Sequence, residues 1–265
     1  MTTVLCVPQW QGSASGSARR LVTGAHRAAE LVPADRVVVA PVLDSAGQRE
    51  SGVSALDVLS ANQRLIGAAH AGIDDFVLTV GGECSVDIAP ISAARARYGD
   101  ALTVLWIDAH PDVYCPETLP SGAFHGMVVR ALLGDGDIPP ALVPEHTLAP
   151  DRVVIVGERA GAESEHRYIE ATGLRRYGVA DLERAFEDVR GPVYLHVDLD
   201  VLDPAAFAST CYPEPGGPDP HRLAALIAGL DAVVGAAITE HAPADGVNPA
   251  EGDVIRLLGA ALTRG

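Results

Sequence analysis

The sequence predicts an α/β fold in which a mainly parallel sheet carries helices on both faces. Three observations point there. Short β-branched runs alternate with longer helical stretches along the chain, the pattern of strand–crossover–strand units. Hydrophobic residues make up 48% and aromatics only 5%, which suits buried parallel strands packed against Ala-rich helices. Acidic residues and histidines follow directly on the apolar runs, at the strand ends where ligands of open α/β sheets bind.

The first strand is predicted at 4–7 (V-L-C-V), followed by a helix over 17–31 rich in Ala and Leu. A second run at 37–42 (V-V-V-A-P-V) leads to a helix over 54–72, and F-V-L-T-V at 76–80 to a helix over 86–98. L-T-V-L-W-I at 102–107 is the most apolar strand candidate and precedes a helix over 125–133. V-V-I-V at 153–156 precedes a helix over 164–172, and V-Y-L-H-V at 193–197 a helix over 220–234. A-A-I at 236–238 and a helix over 250–263 close the pattern.

Nothing divides the chain: there is no internal repeat, low-complexity tract or linker, so a single domain over residues 1–265 is expected. Three segments read as loops able to serve as lids, oligomer contacts or plain surface connections: 43–53, 134–150 and the proline-rich 211–220. No apolar run approaches the roughly 20 residues that cross a bilayer. The N-terminus lacks the basic start of a signal peptide. Cys6, Cys84, Cys115 and Cys211 are scattered with no C-x-x-C pair. Reduced thiols in the cytoplasm are therefore expected, rather than a disulfide framework or zinc ribbon. A formal net charge of −16 disfavours nucleic acid and anionic membranes as partners and mildly favours a cationic substrate.

The informative polar residues interrupt apolar runs. The strand at 102–107 runs into Asp108-Ala-His110-Pro-Asp112. In an extended segment these alternate positions share one side, so two carboxylates and an imidazole would converge. The same event recurs at His196-Val-Asp198-Leu-Asp200-Val-Leu-Asp203-Pro. Burying such groups is costly without a compensating cation, and two Asp pairs at one sheet edge carry enough charge for two divalent ions. Oxygen-rich donors with one imidazole suit Mn²⁺ better than Zn²⁺.

D-A-H-P-D and D-L-D-V-L-D-P resemble two signature motifs of the ureohydrolase family, which includes arginases and agmatinases. Val80-Gly-Gly-Glu83-Cys84-Ser85 stands where the family's third signature, normally G-G-D-H-S, is expected. The resemblance spans about residues 76 to 245. It implies a three-layer α/β/α fold with about eight strands and two Mn²⁺ per chain. Asp108 and Asp198 would bridge the ions, Asp112 would ligate one, and His110 and Asp200 the other. A water shared by the metals, and oriented by Asp112 as a catalytic residue, would attack a guanidinium carbon, giving urea or hydroxyurea and an amine. The P-S-G-x-x-H-G segment makes His125 the candidate proton shuttle, and Glu240 the partner of the substrate guanidinium. Ser121 and Tyr114 would contact the rest of the substrate. Asp203 would cap its turn. His196 and His241 read first as satisfied, non-catalytic histidines, with support of a metal carboxylate by His196 and a pocket wall at His241 as the alternatives. The resemblance also implies a homo-oligomer, trimeric or hexameric.

Four departures bear on substrate and metal. Cys84 replaces a histidine ligand, so it either ligates a metal as a softer donor or leaves that site weak or suited to another divalent ion. Ala160 and Ala162 replace acids of the arginases, one of which recognises the amino end of arginine, with Glu163 one step off. Tyr114 stands where arginases place Asn, and Tyr212 where a small Thr is usual. Arg159 is a further candidate, for an anionic substrate tail. Arginine, hydroxyarginine, agmatine and guanidino acids all remain open as substrates. The alternatives are formimino or amide hydrolysis on the same metal pair, and a non-catalytic relative.

Overall fold

In a computed structural model of the chain, residues 1–187, 189–244 and 248–263 are described; residue 245, where the motif resemblance ends, and the last two residues of the predicted domain lie outside them. Eight strands form one sheet: β1 (Thr2–Val7), β2 (Arg36–Val39), β3 (Phe76–Gly81), β4 (Thr103–Ile107), β5 (Val153–Val156), β6 (Arg175–Tyr177), β7 (Val193–Asp198) and β8 (Val233–Thr239). Their order is β2-β1-β3-β8-β7-β4-β5-β6, and every pairing is parallel.

The helices are α1 (Arg20–Leu31), α2 (Leu56–Ala71), α3 (Ile88–Tyr98), α4 (Val128–Leu132), α5 (Glu163–Thr172), α6 (Leu182–Glu187), α7 (Pro220–Ala228) and α8 (Pro249–Leu262). Alternation along each strand sorts the core into two layers. Leu105, Ile107, Leu195 and Val197 face α1, α6, α7 and α8. Val104, Trp106, Val153 and Ile155 face α2, α3, α4 and α5. The central strands are buried along their length, as in β4, where all five residues are inaccessible, so apolar side chains on both faces stabilise the sheet. The three-layer fold predicted from the sequence is the one observed. No helix among the described residues is long and apolar enough to cross a membrane.

Several boundaries differ from the sequence reading. The second strand ends at Val39 rather than 42, because Pro41 cannot donate to a ladder. The helix expected over 220–234 stops at Ala228; Gly229 closes it, and Val233 and Val234 belong to β8. The helix expected from 125 begins as a 3₁₀ turn, Phe124–Met127, before α4. Strand β6 and helix α6 went unpredicted. β6 is a three-residue edge strand, R-R-Y, with no apolar run to announce it, and α6 is only six residues long.

The four strands that carry the motifs are neighbours in the sheet: β3, β8, β7 and β4. Val80 pairs with Ile238, Ile238 with Val197, and Val197 with Ile107. One row of backbone thus carries Asp108, Asp198 and Thr239 immediately beyond it, with Cys84 four residues after Val80.

Candidate functional site

The acidic motifs converge, though by a different local geometry than an extended strand would give. After β4 the chain leaves the β region, and Asp112 adopts a left-handed φ of 52°. After β7, Leu199–Val201 form a 3₁₀ turn in which Asp198 Oδ1 accepts from Asp200 N at 2.7 Å. Glu240, at the end of β8, also has a left-handed φ, 65°. Non-glycine residues in that region cost about 1–3 kcal/mol each and cluster at functional sites.

His110 Nδ1 lies 3.1 Å from Asp200 Oδ2 and 3.5 Å from Asp108 Oδ1. Asp108 Oδ1 also accepts from His110 N at 2.6 Å, and Asp108 Oδ2 from Trp106 Nε1 at 3.1 Å. Cys84 occupies a 3₁₀ turn, Cys84–Asp87, just beyond β3, with its Sγ 3.1 Å from Asp198 Oδ2 and 3.8 Å from Glu240 Oε1. His125 Nδ1 lies 3.1 Å from Glu240 Oε1. Candidate ligand atoms within 4.8 Å of one another form three groups: Asp108, His110 and Asp200; Cys84, Asp108 and His196; and Cys84, His125 and Glu240. Asp112 and Asp198 fall outside these groups but are buried beside them.

The carboxylates repel one another. Burial and then the neighbouring Asp108 push Asp112 well above the usual carboxylate range. Burial, then Asp200 and Asp108, do the same to Asp198. Asp200 is raised to about 7 by burial and the Asp108 charge. Burial also acts to raise Asp108, but the hydrogen bonds and charge of His110 hold it below its ordinary value. For His110, burial would favour the neutral ring, and Asp200 and Asp108 outweigh it to raise the imidazole. Burial and four neighbouring carboxylates push the Cys84 thiol well up. Among the described residues, Asp112 Oδ2 and Glu240 Oε2 are buried without a hydrogen-bond partner. A cation is the compensation that such a donor set fits, with Asp108, His110 and Asp200 offering hard donors and Cys84 a soft one.

The substrate-side residues are more dispersed. Tyr114 is half-buried, and its hydroxyl meets Glu165; burial and that charge raise it to about 12. Ser121 is exposed, with its Oγ accepting from Ala123 N at 3.3 Å. The Tyr212 ring lies 5.2 Å from that of His125 and 6.4 Å from that of His110, centroid to centroid. The Arg159 guanidinium donates to the carbonyls of Gly157, Asp200, Leu202, Glu214 and Pro215, tying together three loops. Asp203 caps its turn, accepting from Ala205 N at 2.8 Å and Gly216 N at 2.7 Å. His241 turns away, with Nδ1 3.1 Å from Gly24 O. It lines a cavity of about 680 Å³ with Arg27, Glu30, Ser209 and Glu251.

Sequence reasoning missed several supporting residues. Glu83 is fully buried and accepts from Gln9 Nε2, Gly12 N, Ser85 N and Ser85 Oγ. Glu165 accepts from Val113 N and Ala162 N, bracing the segment after Asp112. Asp87 binds Tyr194 and His196 inside the core. One signal was available: Tyr194 and His196 lie within a strand buried on both faces, where polar tips require partners.

The arginase family's sequence profile matches residues 53–251. An arginase of Neurospora crassa is 33% identical over 169 residues, 56% of this chain and 47% of that one. An arginase of Bacillus subtilis is 32% identical over 175 residues, 60% of this chain and 59% of that one. The chain thus spans about half the length of the curated relatives it matches. Among solved structures, an arginase from Bacillus caldovelox shares the fold with a TM-score of 0.84 over 100% of this chain and 98% of that one, at 24% identity. The family match takes in every strand end that builds the site, from Cys84 to Glu240, and the chain belongs to the arginase family.

Proposed function

We propose that the chain is a divalent-metal hydrolase that cleaves a guanidino compound to urea, or hydroxyurea, and an amine. The observation that carries this reading is the placing of His125 and Glu240 as a 3.1 Å pair beside the cluster of Cys84, Asp108, His110, Asp112, Asp198 and Asp200. The cations, Mn²⁺ by donor chemistry, would be held by those six residues and supply Lewis acidity and an activated water.

The chain's own residues do the rest. Glu240 offers a carboxylate to a planar cation; its Oε2 has no partner among the described residues and Oε1 is shared with His125. His125 holds a proton next to that carboxylate. Burial would strip the proton, but the hydrogen bond and charge of Glu240 keep the ring above its ordinary value, suiting delivery to a leaving amine. Tyr212 covers His125 and His110 from the loop side and so limits the space for the substrate tail. The net charge of −16 favours a cationic substrate. A homo-oligomer, as the family resemblance implies, is part of the same proposal.

Release of urea and hydroxyurea by the Mn²⁺-loaded chain, measured across arginine, hydroxyarginine, agmatine and guanidino acids, tests the reading. Formamide or ammonia release from formimino substrates, with none from guanidines, would establish the alternative hydrolase. No turnover of any member by chain with bound metal would leave the non-catalytic alternative.

A further inference from the structure

A line of buried polar contacts runs through the core beneath the site. The Tyr194 hydroxyl donates to Asp87 Oδ1, and Asp87 Oδ2 lies 3.0 Å from His196 Nδ1. On the other side of the ring, His196 Nε2 lies 3.4 Å from Thr239 Oγ1. Thr239 Oγ1 is 3.8 Å from Cys84 Sγ, which is 3.1 Å from Asp198 Oδ2. Asp87, His196 and Thr239 are completely buried, and Tyr194, Cys84 and Asp198 nearly so. The His196 ring is stacked on the Trp106 indole, centroids 3.5 Å apart and planes within 4°, and that indole donates to Asp108 Oδ2. The imidazole therefore supports two sides of the acidic cluster at once.

Chemistry fixes the direction of the line. A carboxylate only accepts, so Asp87 Oδ2 requires a proton on His196 Nδ1. With a single proton on the ring, Nε2 is then an acceptor, and the Thr239 hydroxyl donates to it. The Thr239 oxygen then packs at 3.8 Å against Cys84 Sγ, whose single proton is directed to Asp198 Oδ2. Tyr194, the second donor to Asp87, holds that carboxylate in place from below.

We infer that Asp87 is a positioning residue: through the His196 tautomer and the Thr239 hydroxyl, it orients Cys84 and the neighbouring Asp108 and Asp198. This rests on the reading of those residues as metal ligands. A partner that orients a ligand from behind is worth about 10–100-fold in metal affinity.

The test is Asp87→Asn, which keeps size and the Tyr194 contact. Its one carbonyl can no longer accept from both Tyr194 and His196; with the carbonyl kept on the Tyr194 hydroxyl, the amide N–H faces His196 and demands an acceptor at Nδ1, reversing the tautomer. Nitrogen NMR of labelled histidine in metal-free chain should show an Nδ1–H ring in the wild type and an Nε2–H ring in the variant. Calorimetric titration with Mn²⁺ alone should show affinity lower by about 10–100-fold. Thr239→Val breaks the line without touching Asp87 and should lose affinity in the same range, which covers the case of an Asp87→Asn chain that does not fold. A wild-type ring that is not Nδ1–H, or wild-type affinity in either variant, overturns the inference alone. A wild-type chain that binds no divalent cation overturns it together with the functional reading.

Discussion

Trp106 Nε1 donates to Asp108 Oδ2 at 3.1 Å, so an indole within the strand core sets the orientation of the carboxylate that follows it. The other oxygen is fixed by His110 N. Trp106→Phe preserves an aromatic surface against His196 but removes the donor. The prediction is an Mn²⁺ affinity reduced by about 10–100-fold and a stability loss on the order of 1–3 kcal/mol for the unpaired buried oxygen. Titration calorimetry and denaturant melts read the two effects separately. Unchanged metal affinity would remove the indole from the account of the site.

His125 and Glu240 should separate in their behaviour from the residues proposed to hold the metals. His125→Asn is predicted to lower kcat by about 10²–10⁴-fold, the usual range for a general acid, with metal content per chain unchanged. Glu240→Gln keeps the hydrogen bond but not the charge, so the loss should appear in kcat/KM for cationic substrates. Metal analysis beside steady-state kinetics checks both. A His125→Asn chain that loses metal in proportion to activity would make the imidazole a ligand and not a shuttle.

Stability of the metal-free chain should fall as pH rises. Glu165 is raised to about 7 by burial, against backbone donors that act to lower it, whereas an unfolded Glu titrates near ~4.3. The folded state holds the proton more tightly, so this contribution is complete below the unfolded value and lost as pH passes the folded one. Asp200, also raised to about 7, acts in the same direction. Chelated protein should therefore unfold at lower denaturant near about pH 8 than near about pH 5.5, and Glu165→Gln should shrink that difference by on the order of 2 kcal/mol. Loading with Mn²⁺ should reverse the trend, because cations require ionised carboxylates. A metal-free chain equally stable at both pH values would contradict the burial argument.

The strand ends were legible in the sequence because each combines an apolar run with an abrupt acid, as at Ile107-Asp108 and Val197-Asp198. The convergence of the acids with His110 followed from that pattern. Its local geometry did not, since the left-handed turns at Asp112 and Glu240 are tertiary and carry no glycine to mark them. The short elements β6 and α6 were hidden by size. Asp87 and Glu165 were hidden for another reason. A lone acid in an amphipathic stretch reads as solvated, and only the packing of Tyr194, His196 and the loop after Asp112 shows it as a buried acceptor.

Glu83 stands where the family signature has Asp, and Gly12 makes the longer side chain fit. A Cβ at Gly12 would lie 2.3 Å from Glu83 Oε2 and 2.5 Å from Oε1, while Gly12 N itself donates to that carboxylate at 3.2 Å. Gly12→Ala must displace a buried acid whose oxygens accept from four groups, so a loss of about 1–3 kcal/mol is expected for the overpacking. Shortening the acid by one methylene withdraws the carboxylate from the new methyl group. Glu83→Asp alone should therefore destabilise, by loosening Gln9 and Ser85, yet should recover part of the loss in the Gly12→Ala background. Unfolding free energies of the wild type, both single variants and the double variant give the coupling directly. Strictly additive losses would mean that the glycine serves the backbone of its own loop and not the acid beside it.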